Sequence, residues 1–158
     1  MGPESNEKHG WRQHRLLLAV VITVLVVLMG LFLKNTLTRF MNMAVHAKSA
    51  EGMAFLNEIH QAQLKHFEQH GEYVAVGATP QQAPGKRQIP FESEHMEGWK
   101  RLGWQPESMV RCQYEVTVPT PKTFRAVARC DADGDGEMAV FVSSAEHPPK
   151  RTSPDNRY

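Results

Sequence analysis

Residues 16–33 read LLLAVVITVLVVLMGLFL, an unbroken apolar stretch that decides how the chain is organised. About eighteen helical residues, at about 1.5 Å each, are long enough to cross the hydrocarbon core of a bilayer. A surface helix of a soluble protein carries a polar face, and this stretch carries none. The alternative is a cleaved signal peptide, but the nearest cleavage-like sequence, Val45-His46-Ala47, lies well beyond the apolar stretch. We therefore expect a transmembrane helix that remains as an anchor.

The charges that flank this stretch predict its orientation. Lys8, Arg12 and Arg15 precede it, and Lys34 and Arg39 follow it, so the positive-inside rule slightly favours a cytoplasmic N-terminus. The two cysteines lie on the other side, and a structural disulfide belongs in an oxidising compartment. We expect a single-pass protein of the bacterial inner (cytoplasmic) membrane, with its C-terminal domain in the periplasm.

Beyond the membrane, the apolar pattern changes from continuous to periodic. Apolar side chains recur at intervals of three and four residues, as in an amphipathic helix. The recurring positions are Leu37, Phe40, Met41, Ala44, Val45, Met53, Leu56, Ile59, Ala62 and Phe67. No proline interrupts the chain from Arg12 to Val76, and Gly71 supplies a stop signal. The pattern predicts one long helix from about Arg15 to His70.

The remainder of the chain has the character of strands and loops. Residues 77–90 read GATPQQAPGKRQIP and are predicted to be a loop. A helical turn is predicted around Glu94–Lys100. Three segments rich in β-formers follow, namely Met109–Val118, Thr123–Cys130 and Met138–Ser143. The expected fold is α+β: a long N-terminal transmembrane and amphipathic helix, packed by its outer half on a three- or four-stranded antiparallel sheet.

This reading divides the chain into four parts. The predicted parts are a cytoplasmic tail (1–15), a transmembrane helix (16–33), an extracytoplasmic domain (34–145) and an irregular C-terminal tail (146–158). The core of the domain is expected where Leu56, Ile59, Ala62 and Phe67 of the helix meet the inner face of the sheet, each large side chain contributing about 1.5–3 kcal/mol.

The two cysteines are placed to form a disulfide. Pro119-Thr120-Pro121-Lys122 is predicted to join the first two of these strands by a turn, and Cys112 and Cys130 are equally far from Pro121 along the chain. Two residues at equal distances from a hairpin turn face each other, at a separation that a disulfide can bridge. The alternative is a pair of buried free thiols, and we favour the disulfide.

The order of these parts resembles the type IV pilin and pseudopilin family. The similarity is best in Leu56–Tyr73, LNEIHQAQLKHFEQHGEY, where Ala62-Gln63, Phe67, Gly71 and Tyr73 match the end of the family's long helix. Gly103-Trp104, Tyr114 and the turn DADGDG are similar to the sheet region, and the resemblance covers about residues 37 to 143. It implies a pilin-like fold and, for the family, a place in a pilus or secretion filament.

The family's processing signal is missing from this chain. Pilins carry a glycine, usually followed by phenylalanine, and a glutamate five residues into the mature chain. Here the residues ahead of Leu16 read KHGWRQHR, and Arg15 occupies the position that the glutamate would take after Gly10. The resemblance therefore supports the fold more directly than it supports assembly into a filament.

The turn after the second strand has the composition of a calcium loop. Asp131, Asp133 and Asp135 supply carboxylates at alternate positions, Glu137 follows, and a glycine occupies the sixth position. Oxygen ligands at this spacing suit Ca²⁺, and some pseudopilins bind calcium in this part of the sheet. Position twelve is Val142, however, so the pattern departs from that of a helix–loop–helix site. The alternative is a turn in which Asp and Gly only supply unusual dihedral angles.

Two histidines share one face of the predicted helix. His66 and His70 are one helical turn apart and could bind the same metal ion. No glutamate lies between them to act as a base. We favoured the other interpretation, in which both are exposed polar residues on a solvated face.

The sequence favours a structural role over catalysis. The net charge is +1 with scattered basic residues, which argues against a nucleic-acid partner. No nucleophile or phosphate-binding motif is present, so we expect neither an enzyme nor a small-molecule substrate. We expect an accessory subunit of a larger membrane complex (respiratory, photosynthetic or secretory), with the bilayer and integral membrane subunits as partners. The residues expected to contact those partners are Leu37, Phe40, Met41 and Val45.

Two other functions were considered. The first is a minor pilin or pseudopilin of a type IV pilus or type II secretion filament. The second is a calcium-responsive sensor domain, which depends on the acidic turn. No cofactor other than calcium is expected.

Overall fold

The computed structural model describes the backbone of residues 4–107, 109–155 and 157. Within those ranges, side chains are described for residues 16–37, for residue 47 and from residue 49 onward. The chain divides into two compact units, Met1–Asn42 and Met43–Tyr158. The architecture is α+β, as expected: a long N-terminal helix, a short second helix and a five-stranded antiparallel sheet.

The first helix, α1, spans Glu4–His70. It begins earlier than the predicted Arg15 because no proline interrupts residues 4–70. Its segment Leu16–Leu37 has a mean hydropathy of 3.2, and none of that segment is buried within the protein. By length and composition it is the one described segment that could cross a membrane, although signal sequences share these properties.

Backbone and side-chain contacts together end α1 and fix the turn that follows it. Gly71 adopts the left-handed conformation (φ 74°) and donates its N–H to the Phe67 carbonyl at 2.8 Å, which ends the helix where the sequence predicted. The buried Gln63 side chain donates to the Val74 carbonyl (2.7 Å) and accepts from its N–H (3.0 Å). The Phe67 and Tyr73 rings stack at 4.5 Å. These contacts turn the chain back towards the sheet.

The sheet has the strand order β1-β2-β3-β4-β5, with every neighbouring pair antiparallel. The strands span Val76–Thr79 (β1), Cys112–Thr120 (β2), Thr123–Cys130 (β3), Ala139–Ser144 (β4) and Lys150–Arg151 (β5). The three central strands lie close to their predicted positions, and β3 has the predicted bounds.

The two outer strands were not predicted. β1 begins in front of the stretch expected to be a loop, and β5 lies in the tail expected to be irregular, so the prediction of three or four strands was too low. Both strands are short, at 4 and 2 residues, which is too short for an apolar–polar alternation to show in the sequence. They form because the exposed edges of β2 and β4 offer unpaired backbone groups.

The core lies between α1 and the inner face of the sheet. Leu56 and Ile59 are completely buried, as predicted, whereas Ala62 and Phe67 are only half-buried. The second helix, α2 (Met96–Leu102), adds Trp99, whose ring lies 5.3 Å from that of Trp104. Other buried core residues are Val74, Val76, Phe91, Val110, Tyr114, Val116, Phe124, Ala126, Ala128, Ala139 and Phe141.

Two glutamates of α1 tie the helix to the rest of the domain. Glu51 accepts hydrogen bonds from the backbone N–H of Arg111 (2.6 Å) and from the hydroxyl of Tyr114 (3.3 Å). Glu58 accepts from the indole N–H of Trp104 at 2.8 Å. Burial, followed by the nearby Glu51 carboxylate, raises the pKa of Tyr114, so this hydroxyl stays protonated and continues to donate.

Candidate metal centre

The acidic turn connects β3 to β4 and is held at both of its ends. Cys130 pairs with Ala139 across the two strands, so the intervening residues form a loop whose ends are fixed. Cys130 is also disulfide-bonded to Cys112, with an S–S distance of 2.00 Å. The register places Cys112 opposite Cys130, as the position of the hairpin turn predicted. The residue next to the disulfide is Asp131, the first carboxylate of the candidate site.

The structure brings three of the four predicted ligands together. One carboxylate oxygen from each of Asp131, Asp133 and Asp135 lies within 4.8 Å of the others. Asp131 is buried, Asp133 is half-buried and Asp135 is exposed. Carboxylates held this close repel one another, and a bound divalent cation would offset that repulsion.

Two oxygens in the cluster lack hydrogen-bond partners among the residues that the structure describes. Asp131 is only 8% exposed, and its Oδ1 atom makes no hydrogen bond, nor does Oδ1 of Asp133. A buried carboxylate oxygen without a partner is costly unless an unseen group satisfies it. The remaining oxygen of Asp131 accepts only a long bond, 3.3 Å, from the Gly136 N–H. The donor set therefore fits a hard cation such as Ca²⁺, which prefers oxygen ligands.

The fourth predicted ligand does not join the cluster. The carboxylate of Glu137 forms an ion pair with Arg157, with an Nε–Oε2 distance of 3.3 Å. Its backbone N–H donates to Oδ1 of Asp135 at 2.7 Å, which holds the turn in shape. A bound cation would therefore complete its coordination with backbone carbonyls or water rather than with Glu137.

One neighbour of the turn was missed in the sequence. The side chain of Lys86 lies against Gly134, since a Cβ atom added there would come within 2.9 Å of the Lys86 Cγ. Gly134 has a φ of 70°, the left-handed region that favours glycine. The loop that carries Lys86 thus packs on the acidic turn, although the two are far apart in sequence.

His66 and His70 are not both exposed, which corrects the interpretation favoured from the sequence. His70 is exposed, but His66 is buried, at 7% exposure, and its Nδ1 lies 2.9 Å from the Glu72 carbonyl oxygen. The two rings lie 4.4 Å apart between centroids. The turn that follows α1 buries His66 by folding back over it.

Of the residues expected to contact partners, only Leu37 has a described side chain. Leu37 is 61% exposed. Phe40, Met41 and Val45 lie outside the residues whose side chains the structure describes.

No family model, no curated protein and no solved structure matches this chain. The resemblance to pilins therefore rests on the sequence features given above.

Proposed function

We propose that this chain is a non-catalytic, single-pass membrane protein that acts as a structural accessory subunit of a larger membrane complex. The observation that carries the proposal is the apolar segment Leu16–Leu37, none of which is buried within the protein. Such a surface is stable only against lipid or against the helices of other membrane proteins. The bilayer and integral membrane subunits are therefore its proposed partners.

The disulfide supports a periplasmic location for the folded domain. Cys112 and Cys130 are both completely buried, at the first residue of β2 and the last residue of β3. Structural disulfides persist in oxidising compartments, and the bacterial periplasm is one of them. Together with the basic residues ahead of the apolar segment, this favours a cytoplasmic N-terminus in the inner membrane.

The polar contacts of α1 support a bracing role for the domain. Glu51, Glu58 and Gln63 are each engaged with backbone or side-chain groups elsewhere in the domain. These bonds fix α1 to Tyr114 of the sheet and to the segments that flank its strands, and they add to the burial of Leu56 and Ile59. A domain fastened to its own helix in this way is suited to positioning a neighbouring subunit.

The test is purification of the full-length chain from its native membrane in mild detergent, with intact-mass analysis and identification of the co-purifying chains. We expect an uncleaved chain, lighter than the reduced form by the two hydrogens that the disulfide removes, together with integral membrane subunits. Leu37→Asp is expected to release those subunits. The matched control is Met109→Asp, because Met109 is 47% exposed but lies in the other unit. Equal recovery of subunits with both variants would refute the proposed contact surface.

A second candidate is a minor pilin or pseudopilin. The supporting observation is a set of contacts at the end of α1 that involves residues of the pilin-like segment. The Gln63 side chain hydrogen-bonds to the backbone of Val74, the Phe67 ring stacks on the Tyr73 ring, and Gly71 ends the helix. Filament assembly predicts a chain shortened close to its apolar segment and recovered in sheared filaments. Intact mass therefore separates this candidate from the accessory subunit.

A calcium-responsive domain is the third candidate. It is favoured by the buried, unpartnered Oδ1 of Asp131 within the carboxylate cluster. This role is compatible with either of the other two, because the cation would stabilise the domain that contacts the partner.

A further inference from the structure

The last two turns of α1 carry a pair of imidazoles in contact. His66 and His70 are separated by one helical turn, and their ring centroids lie 4.4 Å apart with an interplanar angle of 43°. Rings this close can direct ring nitrogens at a common point in front of them. Histidine is the commonest side-chain ligand for transition metals.

The hydrogen bond of His66 determines which of its nitrogens is available. Its Nδ1 lies 2.9 Å from the Glu72 carbonyl oxygen, and a carbonyl oxygen can only accept. Nδ1 therefore carries the proton, which leaves the lone pair on Nε2 free to bind a metal ion. Metal-binding histidines commonly donate their other ring N–H to a carbonyl or carboxylate in this way, which fixes the tautomer and the ring orientation.

The surroundings of the pair leave room for an ion and its remaining ligands. The two histidines line a cavity of about 180 Å³, together with Gln69 and two basic residues, Lys65 and Arg101. The C-terminus of α1 lies here, and the unpaired carbonyls of a helix C-terminus favour positive charge. Lys65 and Arg101 are both exposed, so water screens their repulsion of a cation, and both are available to a negatively charged ligand on the metal.

We propose that His66 and His70 chelate a divalent transition-metal ion of the Zn²⁺, Ni²⁺ or Cu²⁺ type, with water or an exchangeable ligand in the remaining positions. This site differs in kind from the acidic turn. Imidazole nitrogens suit Zn²⁺, Ni²⁺ and Cu²⁺, whereas the carboxylates of the turn suit Ca²⁺. The burial of His66 means that one ligand is already ordered before the ion binds, which lowers the entropic cost of binding.

The test uses the full-length chain in detergent, carrying a purification tag without histidine and stripped of metal with a chelator. Zn²⁺ and, separately, Ni²⁺ are titrated by calorimetry with Ca²⁺ in excess, so that the acidic turn does not compete. We expect one saturable site for each ion. His70→Ala should weaken binding more than about tenfold, a loss of more than about 1.4 kcal/mol. Because His70 is exposed, this variant should remain folded, which circular dichroism checks.

The matched control is His147→Ala, which removes another exposed histidine and should leave binding unchanged. Asp131→Asn should likewise leave it unchanged if the two sites are separate. Electron paramagnetic resonance of the Cu²⁺-loaded chain should show coupling to two imidazole nitrogens, and to one after His70→Ala. The proposal is overturned if no saturable binding occurs, or if His70→Ala binds as tightly as His147→Ala does.

Discussion

Replacing Gly52 with alanine tests how closely α1 approaches the disulfide. A Cβ atom at Gly52 would lie 2.5 Å from Sγ of Cys130 and 3.1 Å from the ring of Phe141. The first distance is far inside van der Waals contact, so something must move. Neither neighbour moves easily, because Cys130 is held by its disulfide and Phe141 is only 4% exposed.

Two opposing effects decide the size of the change. Overpacking a tight core costs about 1–3 kcal/mol. Alanine gains about 1 kcal/mol over glycine inside a helix. Because both neighbours are constrained, we expect the steric cost to exceed the helical gain, with a net loss of up to about 2 kcal/mol for Gly52→Ala. The matched control is Gly30→Ala, since a Cβ atom at Gly30 meets nothing within 4 Å and should cause no such loss.

The assay is guanidinium unfolding of the full-length chain in detergent, followed by the fluorescence of the buried Trp99 and Trp104. The same substitution is then made in a Cys112→Ala/Cys130→Ala background, where the sulfur atom is gone. There Gly52→Ala should destabilise less, because only the contact with Phe141 remains, and the difference between the backgrounds measures the contact with the sulfur. Equal destabilisation in both backgrounds, or stabilisation in the native one, would refute the close approach of Gly52 to the disulfide.

Three further predictions concern the carboxylate cluster, the buried His60 and the Gln63 side-chain amide near the end of α1. Adding Ca²⁺ at about 100 times its dissociation constant should raise the free energy of unfolding by about 2.7 kcal/mol. Asp131→Asn should abolish that gain in a thermal melt. Burial lowers the pKa of His60 below its usual 6.5, so the unfolded chain binds a proton that the folded chain does not. This contribution to stability is present above about pH 6.5 and is lost as the pH falls towards the lowered value. Chemical unfolding at a series of pH values should show that the free energy of unfolding falls at low pH, and His60→Leu should reduce this pH dependence. Gln63→Leu leaves the buried N–H and C=O of Val74 unpaired, at about 1–3 kcal/mol for each, which the unfolding midpoint measures. Gln69→Leu, at an exposed position of the same helix, should have little effect.

Local sequence patterns predicted the elements that depend on residues close together in the chain. The apolar stretch gave a helix long enough to span a membrane, and Gly71 ended α1 at the expected residue. Alternation of apolar and polar residues located β3 with its observed bounds. The predicted turn near Pro121 placed Cys112 opposite Cys130, and the structure pairs these two residues, with a register irregularity between Thr117 and Thr120.

The candidate site was predicted only in part, because the spacing of residues in the sequence does not reveal contacts between distant segments. The spacing of Asp131, Asp133 and Asp135 indicated a candidate cation loop, and the structure brings one carboxylate oxygen of each within 4.8 Å of the others. Spacing could not show that Glu137 turns away to Arg157, or that Lys86 packs against the turn. Both contacts join residues that are far apart in the chain.

The sequence by itself determined the apolar segment long enough to span a membrane, the long helix, the central strands and the cysteine pair, since each depends on residues close together or on one hairpin. Only the tertiary structure decided the two outer strands, the burial of His66 and the orphaned oxygen of Asp131. β1 and β5 form only because β2 and β4 offer partners. His66 is buried where the chain after Gly71 folds back, and its Nδ1 contacts the Glu72 carbonyl there. Whether the Asp131 oxygen has a hydrogen-bond partner depends on which groups from distant parts of the chain surround it.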